Sequence, residues 1–145
     1  MILLPSALEL LENKIIIMNS LIVDAARDKI ILTHIVDKNI YTCSHENSKI
    51  NFEKMITLIN DFLKLNKTRL GEINAIYVNR GPGSFAGIRN SLATIKALFL
   101  TKNIDYYCFS FSDFIVPNEV KYEEVPSLCE KFKIKKNLIN PIYLS

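Results

Sequence analysis

Apolar positions along the chain follow two different periods. The runs SLIVDAA from Ser20, KIILTHIV (29–36) and NIYTCSH (39–45) are short, rich in β-branched residues and separated by the brief polar stretches ARD and DK. That pattern predicts three strands in an antiparallel meander. In NSKINFEKMITLINDFLKLNK the period changes, and Phe52, Met55, Ile56, Ile59, Phe62 and Leu63 recur at helical spacing as one apolar stripe. Ser48 or Asn51 is placed to cap this first helix. INAIYVN (73–79) predicts a fourth strand buried on both faces. A second helix over 85–101 puts Ile88, Leu92, Ile95 and Phe99 on one face, while Ala86, Ala93 and Ala97 keep other parts slim. DYYCFS (105–110) predicts a fifth strand, and FSDFIV a short helix or turn that Pro117 ends. Beyond Pro117 the pattern weakens, and EVPSLCEKF is the one stretch suggesting a further short helix. The order βββαβαβ is an α/β fold with a mixed sheet whose first three strands are antiparallel.

A length of 145 residues with 49% hydrophobic positions suits one globular domain. The net charge of +3 permits an RNA contact without arguing for one. Cys43, Cys108 and Cys129 lie far apart with no C-x-x-C pair, the pattern of free thiols in a reducing compartment. The apolar N-terminus lacks a basic leader, and Glu9, Glu12 and Lys14 interrupt it. No signal peptide, no membrane span and a cytoplasmic protein are therefore expected. Ser6 and Glu9 fit a capping box for a helix over 7–13, and Met18 offers an alternative start. The expected division is an extension over 1–19, a lobe over 20–116 and a short C-terminal remnant over 117–145.

Between the fourth strand and the second helix lies Arg80-Gly81-Pro82-Gly83-Ser84-Phe85-Ala86-Gly87. A glycine loop opening a helix can cradle phosphate, because the helix N-terminus presents free N–H groups. The spacing fits neither a P-loop, since no Lys-Ser/Thr follows Gly87, nor the dinucleotide fingerprint, since the last gap is one residue too long. Pro82 also removes an N–H. A packing bend accounts for the same residues: Gly81 and Gly83 can take positive φ, and Ser84 can cap the helix. The residues alone favour the bend and leave the phosphate site open.

The segment NRGPGSFAGIRNSLATIKALF closely resembles the glycine-loop signature of the TsaB family of tRNA threonylcarbamoyladenosine biosynthesis proteins, also called Gcp-like or M22 glycoprotease-like. LIVDAARDKIILTHI resembles the family's opening strand pair, and NPIYLS its chain end. The resemblance covers residues 20–114 well and implies one lobe of the actin/Hsp70/sugar-kinase (ribonuclease H-like) fold. It departs from the family in lacking the histidine early in the first helix and in three further ways. The chain is too short for the second domain; Asp24 is followed by Ala25-Ala26-Arg27 instead of hydroxyl residues; and Ala86 replaces the usual threonine.

The resemblance implies a subunit without chemistry or cofactor of its own. TsaB-like subunits pair through their N-terminal helices with the catalytic subunit TsaD, which transfers a threonylcarbamoyl group to N6 of adenosine 37 in tRNA. An ATPase, TsaE, joins the assembly, tRNA is met through the complex, and a homodimer when unpartnered stays open. The residues assigned to the partner surface are Phe52, Met55, Ile56, Ile59, Phe85, Arg89, Leu92, Ala93 and Lys96, and the loop residues are Gly81, Pro82, Gly83, Ser84 and Gly87. Leu58 and Leu65 widen the first helix's apolar arc, and a shortened chain should leave part of the sheet bare. The opposing reading of the stripe is plain packing on the chain's own sheet.

TsaD holds a metal through a H-x-x-x-H pair, whereas His34 and His45 here lie on predicted strands, so no metal site is expected. One rival is a nucleotide-binding or hydrolytic enzyme using Asp24 and Gly81–Gly87. Another is a tRNA-binding module centred on Lys131, Lys133, Lys135 and Lys136.

Overall fold

The computed structural model describes residues 18–143. The helix expected over 7–13 lies outside them. The strands are β1 (Asn19–Asp24), β2 (Lys29–Val36), β3 (Asn39–Glu46), β4 (Ala75–Asn79) and β5 (Asp105–Phe109), in the sheet order β3-β2-β1-β4-β5. β1, β2 and β3 pair antiparallel, whereas β4 runs parallel to both β1 and β5. The mixed sheet is thus the one the apolar pattern predicts. β1 is central and buried along its whole length, as its β-branched run requires.

The first predicted helix is in fact two. α1 (Lys49–Glu53) is capped by Ser48, whose hydroxyl accepts from the Asn51 amide, and α2 (Met55–Leu65) follows a break at Lys54 (φ −113°, ψ 28°). α3 (Phe85–Lys102) begins at Ser84 and ends at Asn103, which takes the left-handed conformation common after helices. α2 and α3 cover one face of the sheet, and Leu21, Val23, Ile59, Leu63, Ile76, Ile88 and Ile95 pack between them.

The other face is not bare, contrary to the expectation from chain length. The chain after β5 turns through a 3₁₀ segment at Phe111–Asp113 and returns as α4 (Val125–Lys131). Phe114, Val125 and Cys129 seal Ile22, Tyr77 and Phe109 there. The chain after β5 thus covers this face of the sheet itself. Among the described residues no helix is long and apolar enough to cross a membrane.

Candidate functional site

In open α/β sheets ligands gather at the carboxyl ends of the parallel strands. Here that edge carries Asp24, then Asn79 and Arg80, then Ser110. Asp24 is fully buried. Its Oδ1 accepts from the Ala26 amide at 3.0 Å, and its Oδ2 accepts from the Tyr122 hydroxyl at 2.6 Å. Arg27 Nε stands 3.5 Å from the same Oδ2. Burial, reinforced by the Asp24 carboxylate, pushes the Tyr122 phenol far above its ordinary value, so the phenol keeps its proton and donates it. The Arg27 guanidinium also lies 4.8 Å from the centre of the Phe111 ring, at the rim of a cleft lined by Phe114 and Tyr122.

Three amides of the glycine loop are spent on the protein itself. Gly81 donates to Asn79 Oδ1 at 2.9 Å, Ser84 to the Ala26 carbonyl at 2.7 Å and Gly87 to Ser84 Oγ at 3.1 Å. Pro82 has no amide proton to offer. Of the first two glycines, Gly81 alone takes positive φ (108°), which corrects the expectation for Gly83. Gly83 and Gly87 are needed for proximity: a Cβ on either would overlap the carbonyl of Ala26 or Ala25. The loop and the start of α3 thus lie directly against the turn after β1.

The C-terminal segment straps across this loop. Arg80 donates to both carboxylate oxygens of Asp113, at 2.7 and 3.4 Å, and to the Asn140 carbonyl at 3.1 Å. The Arg80 carbonyl in turn accepts from the Ile142 amide at 2.8 Å. The Ile142 carbonyl occupies the space a Cβ on Gly81 would need, and the rings of Tyr143 and Phe85 sit 4.7 Å apart. Arg80 is thereby committed to holding the strap. Sequence reasoning missed Asp113 and Tyr122. No local signal marks either one, because their partners lie 33 and 98 residues away.

The residues assigned to a partner surface divide into two groups. Met55, Ile59 and Leu92 are buried in the chain's own core, at 1%, 0% and 4% exposure. As surface residues they are corrected, because their faces of α2 and α3 are the ones that meet the sheet. Leu58 is buried with them, whereas Leu65 projects into solvent. Ile56, Phe85, Arg89 and Ala93 are exposed, and Phe52 and Lys96 half-buried. Phe85, Arg89, Ala93, Lys96 and Leu100 follow one another at helical spacing along the outer side of α3. α1 and α2 lie beside this helix, so the helical layer presents a continuous outer surface.

The two histidines do not converge, since His34 stands opposite Tyr41 in the β2–β3 ladder and His45 opposite Ile30. His34 Nε2 bonds Asn19 Oδ1 at 2.6 Å and its Nδ1 meets Asn66 Nδ2 at 3.2 Å. With both nitrogens engaged, His34 is a core histidine and does not fit the metal pair of the catalytic relative. Among the described residues no three histidine, cysteine or acidic side chains come together as metal ligands. In the lysine tail, Lys136 pairs with Asp105 at 3.7 Å and Lys131 lies 5.6 Å from the Phe132 ring centre.

Comparison with known proteins agrees with this architecture. A family described as TsaD: tRNA N6-adenosine threonylcarbamoyltransferase matches residues 45–129. The curated tRNA threonylcarbamoyladenosine biosynthesis protein TsaB of Buchnera aphidicola subsp. Baizongia pistaciae (strain Bp) is 34% identical over 83 residues, 48% of this chain and 38% of that protein. YeaZ from Pseudomonas aeruginosa has a TM-score of 0.59 at 17% identity, over 64% of this chain and 44% of its own. A second Pseudomonas aeruginosa structure, of an uncharacterized protein with similarity to peptidase YEAZ, has the same score and identity over 64% of this chain and 43% of that one. The chain thus matches less than half the length of each of these relatives, and the described residues have the actin-like lobe fold that the sequence resemblance implies. With more than half of its residues inside the matched region, this chain belongs to the family described as TsaD: tRNA N6-adenosine threonylcarbamoyltransferase, and over part of its length it is similar to TsaB.

Proposed function

We propose that this chain is a non-catalytic subunit that binds a TsaD-type threonylcarbamoyltransferase and supports formation of N6-threonylcarbamoyladenosine at position 37 of tRNA. Its TsaB-named relative and the TsaD family match support the pathway. One observation carries the non-catalytic reading: the loop amides of Gly81, Ser84 and Gly87 and the carboxylate of Asp24 are already bonded within the chain. An enzyme of this fold would turn those groups toward nucleotide and metal.

The partner surface follows from what α3 leaves uncovered. Phe85 and Leu100 are apolar and more than half exposed, and Ala93 between them allows a partner helix to approach closely. Ile56 on the neighbouring α2 extends the apolar area.

Co-expression with the TsaD of the same organism tests the proposal. The wild-type chain should co-purify with TsaD, and Ala93→Glu and Leu100→Asp should lose it while keeping the wild-type circular dichroism and melting temperature. Met55 cannot serve as a probe, because a charge there would be buried and would unfold the chain. Full retention of TsaD by Ala93→Glu would contradict the assigned surface.

A further inference from the structure

Phe85 is the first residue of α3 and the largest apolar side chain on its outer side, 56% exposed. The Ser84 cap fixes the backbone of this first turn, but an exposed ring keeps a choice of rotamers. That freedom is lost when a partner closes over the side chain, and the loss weakens binding. A ring already held in place avoids it. Tyr143 supplies the hold: its ring lies 4.7 Å from that of Phe85, centre to centre, with 52° between the planes. Two aromatic rings at this spacing and tilt attract each other.

Tyr143 can act as a support because the strap that carries it is fixed first. Asp113 accepts two hydrogen bonds from the Arg80 guanidinium, one on each carboxylate oxygen. Arg80 in turn holds the strap at two points, the Asn140 carbonyl and the Ile142 amide. Pro141 between them sets its own φ and keeps Asn140 extended. The Ile142 carbonyl rests where a Cβ on Gly81 would stand. All of these contacts precede residue 143, so the strap is anchored without the Tyr143 ring. That ring remains 42% exposed beside Phe85.

We propose, resting on the function assigned above, that Tyr143 is a positioning residue of the TsaD-binding surface: it presets the Phe85 ring at the head of α3 in the orientation the partner meets. The surface thereby extends from the helices to the C-terminal strap. Asp113 and Arg80 hold the strap, the strap holds Tyr143, and Tyr143 holds Phe85. The contact is made ring to ring, so a phenylalanine in place of Tyr143 would serve equally.

Isothermal calorimetry of the full chain against the TsaD of the same organism tests the proposal. Tyr143→Ala should raise Kd about tenfold, with the melting temperature and the exchange protection of the Ile142 amide unchanged. Tyr143→Phe should keep the wild-type Kd. Phe85→Ala should also weaken binding, and adding Tyr143→Ala to it should weaken binding no further, because one residue acts through the other. Two losses that multiply in the double variant would overturn the proposal, as would a loss that Tyr143→Phe shares. A raised Kd accompanied by lost protection at Ile142 would make Tyr143 a fastener of the strap and contradict it equally. Binding that Ala93→Glu abolishes and Tyr143→Ala leaves intact would remove this role alone, whereas a wild-type chain giving no heat with TsaD would remove the proposed function together with it.

Discussion

Tyr122 donates its phenolic proton to Asp24 Oδ2 at 2.6 Å, joining residues 98 apart in sequence. The bond fastens the returning C-terminal segment to the carboxyl end of β1. Tyr122→Phe leaves a buried carboxylate oxygen short of a donor and is expected to destabilise the fold by about 1–3 kcal/mol. Urea unfolding should show a lower midpoint at unchanged slope; an unmoved midpoint would mean that the bond contributes nothing.

The glycines of the loop should differ from the glycine outside it. A Cβ at Gly83 or Gly87 meets a backbone carbonyl, whereas one at Gly71 meets nothing within 4 Å. Gly83→Ala and Gly87→Ala should each cost about 1–3 kcal/mol, as overpacking does. Gly71→Ala should stay within about 0.5 kcal/mol of the parent, as surface changes usually do. Equal melting temperatures for all three variants would contradict the close approach of loop and β1 turn.

Arg80 holds the strap at Asn140 and Ile142. Arg80→Ala should free residues 140–143, and the Ile142 amide should lose its protection in hydrogen exchange while β1 amides keep theirs. Undiminished protection at Ile142 would show that the Tyr143–Phe85 contact alone suffices.

Stability should fall on both sides of neutrality. Burial lowers the pKa of His34 from 6.5, so below pH 6.5 the unfolded chain takes a proton that the folded chain refuses. Its contribution is complete above pH 6.5 and declines on acidification below it, and His34→Phe should flatten that decline. On the alkaline side burial pushes Cys108 up to about 11 and Cys129 up to about 12, from an ordinary 9.0. Both groups favour folding below pH 9, and that contribution is lost as pH rises through their folded values. Urea midpoints across this range would read both trends.

Much of this fold is local and therefore visible in the sequence. The β-branched runs became β1, β2 and β3, and the glycine loop with Ser84 marks the start of α3. The neighbours Met55 and Ile56 were not separable. They sit side by side in an apolar stripe, and the break at Lys54 decides which of them turns to the sheet. The site suffers more from distance. Asp24 looked available because its occupants, Tyr122 and Arg27, are a remote phenol and an arginine with no motif around them. The covering of the second sheet face was equally hidden, since Phe114, Val125 and Cys129 are scattered singly through a charged tail and acquire a common face only on folding.

The central claim is that the bend at Gly81–Gly87 serves packing and a protein partner and grips no anion. Isothermal calorimetry of the same preparation against two titrants tests it most directly. Saturable heat with TsaD, lost in Ala93→Glu, together with no heat on adding ATP and magnesium, is the predicted result. Saturable binding of ATP to the isolated chain, abolished by Asp24→Asn, would contradict it.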